Sequence, residues 1–131
     1  MSNNATTWRV TGFAGGTCMV VALVRTLDGV AITENDVNRI TCTVYNLGRH
    51  DGDMFEPVEG HDHVELDLSQ VLVTEEDRTF GEEVVTCNFI HSPDISVHPA
   101  FPTRGYRYMI RYDIFPVNGY ISPIQIIYEA I

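Results

Sequence analysis

The chain has 131 residues, which fits one domain and leaves little room for a second. Its 18 acidic against 8 basic residues give a formal charge of −10, which disfavours nucleic acid and anionic membranes as partners. Apolar residues make up 44%, too many for a disordered chain. A domain of this size buries roughly two-thirds of its unfolded surface, so it needs no metal or disulfide as a staple.

No run of about 18 apolar residues is present, so no membrane span is expected. The stretch from Met1 to Thr7 is polar and lacks the apolar centre of a signal peptide. The expectation is synthesis in a cytoplasm, with retention there or exit by a route that needs no such signal.

In chain order, Trp8 and Phe13 fall in an early strand or arm, residues 1–16, ahead of a main domain at 17–131. Two aromatics there suit a core or interface anchor better than a sugar platform. The glycine-rich stretch Gly12 to Thr17 lacks the lysine and the following helix of a phosphate loop, and reads as a bent or bulged edge. Thr17 to Leu27 reads as a strand with Cys18, Val20, Ala22 and Val24 toward the core. Met19, Val21 and Leu23 then lie on the opposite face and are also apolar. Either loops or the N-terminal segment cover them, or they form a subunit contact.

Asp28-Gly29 turns the chain. Between Ala31 and Ile40, Thr33 and Asp36 have the spacing of a weak capping box, which predicts one helical turn or an irregular crossing. Ile40, Cys42 and Val44 alternate with Thr41, Thr43 and Tyr45, a half-buried strand. Gly48 to Gly60 is a long polar loop. His63 to Leu68 alternates again, with Val64, Leu66 and Leu68 inward. Val71 to Val73 fits a strand or one helical turn, and Thr74 to Arg78 a loop or helix start. Val84 to Ile90 is a strand with Val85, Cys87 and Phe89 toward the core.

An irregular crossing follows, bounded by Ser92-Pro93 and Phe101-Pro102. Tyr106, Tyr108, Ile110, Tyr112 and Ile114 share one strand face, with Arg107, Arg111 and Asp113 opposite. Asn118-Gly119 tolerates positive φ and closes a hairpin onto the last strand. Pro123 cannot donate to a ladder, which places part of that strand on an edge. The tally is about seven to eight strands with turn signals at regular intervals, the pattern of an all-β, immunoglobulin-like antiparallel sandwich.

Chemistry-bearing motifs are sparse. The three cysteines, Cys18, Cys42 and Cys87, are widely spaced and odd in number, which argues against a disulfide framework and a zinc site. They read as reduced, buried thiols, or as one inter-sheet bridge with one thiol left over. His61 and His63 would point the same way in an extended segment, and Asp51, Asp53, Glu56, Glu59 or Glu65 could add ligands. Zinc normally takes three or four protein ligands, and the pair supplies two, so a solvated loop is the alternative. His50, His91 and His98 are scattered and read as turn or surface residues. No nucleophile elbow or cysteine motif is present, and the acidic pairs at residues 75–76 and 82–83 read as solvated, so no enzyme and no cofactor are expected.

Three stretches together resemble a known group: Cys18 to Gly29; Ala31 to Tyr45, with its Ile-Thr-x-x-Asp-Val-x-x-Ile crossing and Thr-Val-Tyr strand; and Phe101 to Gly119, with its Gly-x-x-Tyr. Their order resembles small immunoglobulin-like structural proteins of tailed bacteriophages, including the N-terminal domain of baseplate upper proteins. The resemblance covers about residues 17 to 128 and rests on motifs that mostly encode strands and turns. It implies a virion component: a capsid decoration, neck, tail or baseplate subunit, made in the host cytoplasm and acting by symmetric protein contacts. It carries over no catalytic residue. The end at Ile131, just after the last strand, fits a stand-alone decoration or connector subunit better than a receptor-binding fibre.

The expected contacts are therefore Trp8, Phe13, Met19, Val21 and Leu23, with capsid, neck or tail proteins and further copies of the chain as partners. The alternative is a carbohydrate- or host-surface-binding module using the Gly48–Gly60 loop, where Phe55 is the only aromatic.

Overall fold

The computed structural model describes residues 6–50 and 54–131. Among them the strands are β1 (Thr6–Gly12), β2 (Val20–Ala22), β3 (Val37–Gly48), β4 (Glu56–Pro57), β5 (Val64–Glu65), β6 (Leu72–Phe80), β7 (Glu83–His91), β8 (Arg107–Pro116) and β9 (Ile124–Ala130). A 3-10 turn spans Glu34–Asp36, and one helical turn, α1, spans Leu68–Val71. The larger sheet runs β1-β9-β8-β3-β4, with β5 also on β3; the smaller runs β2-β7-β6. All pairings are antiparallel except β1 with β9. The fold is an all-β sandwich.

Period-two alternation builds the core. On β8, Tyr108, Ile110, Tyr112 and Ile114 are buried, while Arg107, Met109, Arg111 and Asp113 on the other face are half-buried. Ile40, Cys42 and Val44 of β3 and Ile126 and Tyr128 of β9 extend the same layer. From the smaller sheet, Val20, Ala22, Leu72 and Phe89 face it. Phe89 meets Tyr112 edge-on with ring centroids 4.9 Å apart, a favoured aromatic geometry that bridges the two sheets. Each fully buried aliphatic or aromatic side chain contributes about 1.5–3 kcal/mol.

The closing hairpin forms as expected: β8 pairs with β9 from Tyr112↔Ile124 to Arg107↔Glu129, and Gly119 takes φ 75° in the connection. The capping pair also forms, with the Asp36 carboxylate accepting from the Thr33 N–H at 2.8 Å.

Four expectations are corrected. The strand over Thr17–Leu27 shortens to Val20–Ala22 plus an isolated bridge, Arg25↔Ala31. The chain leaves β7 there because an asparagine side chain, Asn88, takes over the main-chain bonds of Val24. Thr74 to Arg78 is strand, in β6. These residues are exposed, and β6 is an edge, where charged side chains block further pairing and erase the alternation that marks a half-buried strand. Val64 is exposed; only Val64–Glu65 pairs with β3, and the two-residue β5 is too short to bury a face. The last strand is not on an edge: β9 begins just after Pro123 and lies between β8 and β1, so β1 takes the edge.

Candidate functional site

Two concave regions stand out. The first is an apolar groove of about 420 Å³ lined by Val10 of β1, Cys18, Met19, Val20 and Val21 around β2, Phe80 and Val85 of the β6–β7 hairpin, and Ile126 of β9. Glu83 is its charged residue. The groove follows from alternation: with Val20 and Ala22 buried, Met19 and Val21 must turn outward, and Met19 is 59% exposed. It also lies where each sheet ends. β1 pairs only with β9, and β2 pairs only with β7, among the described strands. Unpaired strand edges beside exposed apolar side chains are a template for association.

Among the expected contact residues, Met19 and Val21 meet in this groove. Of Trp8 the backbone is described; it lies beside Ile126, a groove residue. Phe13 is 74% exposed but sits in the turn after β1, outside the groove, where its carbonyl accepts a hydrogen bond from Tyr128 Oη at 2.9 Å. Leu23 is half-buried and lines a separate cleft with Ile121 and Pro123. Sequence reasoning missed Val10, Phe80, Val85 and Ile126. Each reads as an ordinary strand residue, and only the sheet order brings them together.

The second region is a cavity of about 290 Å³ beside β3, β5 and α1 and the segment after β7. Its lining brings together His61, His91 and His98 with Cys42, Asp67, Gln70 and Asp94. His61 is only 6% exposed, and its Nε2 lies 2.8 Å from the His98 carbonyl oxygen. A carbonyl only accepts, so Nε2 carries the proton. His91 Nδ1 lies 2.8 Å from Tyr112 Oη. Burial pushes the His91 imidazole down to about 4 and the Cys42 thiol up to about 12, so both stay neutral at ordinary pH. No signal in the sequence marks this convergence, since the three histidines come from well-separated segments.

The His61–His63 pair does not converge. His63 takes a positive φ of 52°, which breaks the extended geometry that would align the two rings. His61 turns into the cavity, while the His63 ring is exposed against Asp62. Among the described residues no group of three or more histidine, cysteine or acidic side chains could hold a metal ion, and Asp51 and Asp53 lie outside the described residues. The cysteines are free: Cys42 and Cys87 are buried and Cys18 is half-buried. No described helix is long and apolar enough to cross a membrane.

Compared with known protein families, curated proteins and solved structures, the chain shows no match.

Proposed function

We propose that the chain is a structural subunit of a tailed-phage virion, as a capsid decoration, neck, tail or baseplate component, and that it acts by protein–protein contact rather than catalysis. The observation that carries the contact reading is the apolar groove at the two open edges, with Met19 exposed between Val10, Val21, Phe80 and Val85. The phage setting rests on the sequence resemblance. An immunoglobulin-type sandwich, which that resemblance implies, draws support from two features. The orders β9-β8-β3 and β2-β7-β6 correspond to the G-F-C and B-E-D sheets of that architecture. Near the start of β8, Tyr108 Oη accepts from the Thr103 N–H at 2.8 Å, the geometry of a tyrosine corner. Burial keeps the Cys42 thiol protonated, so Cys42 is not an activated thiolate.

Mass spectrometry of purified virions tests the setting. The chain should be present in stoichiometric copy number. Its absence from the particles would remove the virion reading and leave the contact surface without an assembly.

A second reading has one observation in its favour. Phe55 is 61% exposed and stacks on Tyr45 with ring centroids 4.3 Å apart, offering a rigid aromatic face to a sugar or host surface. A glycan array would show hits lost in Phe55→Ala; an array without hits removes this reading.

A further inference from the structure

We propose that the partner enters the apolar groove as an extended peptide segment that adds a strand to the open edge of β2, with apolar residues at alternate positions and a lysine or arginine at one end. This rests on the contact reading above and names the kind of partner that the groove fits.

Main-chain direction shows what the groove lacks. Val24 turns its N–H and carbonyl toward the Asn88 amide, on the β7 side. Alternation then points the main chains of Val20 and Ala22 the same way, into the pairing with β7, and those of Met19, Val21 and Leu23 away from it. Among the described residues no main-chain bond reaches Met19, Val21 or Leu23 from that open side. The β1 edge is open in the same way. The Ala14 N–H donates to the Ile131 carbonyl and the Gly12 carbonyl accepts from the Ile131 N–H, so the even-numbered residues of β1 face β9 and Arg9 and Thr11 face away.

A small apolar molecule would fill the groove and leave these donors and acceptors unused. An extended peptide uses both. Its main chain bonds Met19, Val21 and Leu23, and every second side chain reaches the groove floor, where Val20 and Ile126 are buried and Val10 is partly exposed. Charge selects among peptides. Glu83 is the charged residue of the lining and makes no ion pair among the described residues, so a basic side chain beside it gains an opposite charge. A second copy of the chain would bring a formal charge of −10 against −10.

Nuclear magnetic resonance titration of the whole chain tests this with three blocked peptides. The first alternates valine and threonine and ends in lysine. The second is the same peptide with its two central valines N-methylated, which keeps side chains and charge but removes main-chain donors. The third ends in glutamate instead of lysine. The first should give saturable shifts at Val10 and Ile126 and slow amide exchange at Met19, Val21 and Leu23 by about tenfold or more. N-methylation should weaken binding by about tenfold, and glutamate should weaken it several-fold. Shifts at Val10 and Ile126 with unchanged exchange at Val21, or equal binding of the N-methylated or glutamate peptide, overturn strand addition while leaving the groove as a contact surface. Slowed exchange at Val21 that rises with the concentration of the chain alone assigns a second copy and overturns the peptide partner. No shift with the lysine peptide overturns the proposal, whereas the groove itself is judged separately by whether Met19→Glu abolishes association.

Discussion

Asn88 holds Val24 by both ends of its amide: Oδ1 accepts from the Val24 N–H at 2.7 Å and Nδ2 donates to the Val24 carbonyl at 2.9 Å. Nδ2 also reaches the Ile32 carbonyl at 3.3 Å. The side chain thus imitates a neighbouring strand at the point where regular pairing of β2 with β7 has stopped. Asn88 is fully buried, so every one of these bonds is shielded from water. Asn88→Leu keeps the approximate volume, strands the buried Val24 N–H and removes the donor to the Ile32 carbonyl, while the Val24 carbonyl keeps its bond from the Ile32 N–H at 3.1 Å. A destabilisation of about 1–3 kcal/mol is expected from the unsatisfied main-chain groups, read as a lowered urea midpoint with an unchanged slope.

Gly12 lies directly under Tyr128. A Cβ at residue 12 would collide with the Tyr128 hydroxyl and ring. The ring cannot swing aside cheaply, because it stacks on Phe101 with centroids 3.7 Å apart and its hydroxyl donates to the Phe13 carbonyl. Gly12→Ala should therefore cost about 1–3 kcal/mol, as overpacking does elsewhere. Gly12→Ala combined with Tyr128→Phe, measured by the same unfolding experiment, should recover part of that loss, because the hydroxyl is the first atom met.

Tyr108→Phe removes the acceptor for the Thr103 N–H in the part-buried turn before β8. The expected loss is about 1 kcal/mol. Amide exchange should speed up at Thr103 and leave the β3–β8 ladder protected, since the change is local to the turn.

Acid should weaken the fold through His91. Its folded-state value is about 4 against an ordinary 6.5, because burial disfavours the charged ring. Above about 6.5 both folded and unfolded chains hold it neutral. As the pH falls from about 6.5 to about 4 the unfolded chain takes up the proton first, so stability declines across that window. The denaturation midpoint should fall between pH 6.5 and 5 in the native chain, above most carboxylate titration, and more shallowly in His91→Gln.

Much of the fold was legible because burial on one face enforces alternation. Tyr108 to Ile114 announces its inward face and the Asn118-Gly119 turn announces the hairpin, whereas Ile40 to Val44, expected to be half-buried, is buried on both faces because Thr41 and Thr43 are covered as well. What escaped were elements that lack a half-buried face. Thr74 to Arg78 forms an exposed edge strand whose charges mimic a loop, and Val64 sits in a strand too short to bury it. The candidate sites were less legible than the strands. Met19 and Val21 declared themselves by being apolar on both faces of one segment. Val10, Phe80, Val85 and Ile126 join them only through sheet order, which no local pattern encodes. The convergence of His61, His91 and His98 depends on long-range closure, and the positive φ at His63 undid the one local expectation about that cluster.

The central claim is that the groove around Met19 and Val21 is where this subunit meets its partners. The most direct measurement is solution mass by light scattering for the native chain and for Met19→Glu, each alone and mixed with tailed-phage capsid and tail proteins. Met19 is exposed, so the substitution should leave the fold intact. Contact through the groove predicts that the native chain associates in at least one of the two settings and that Met19→Glu stays monomeric in both. A native chain that remains a monomer throughout, or a Met19→Glu variant that associates equally well, contradicts it.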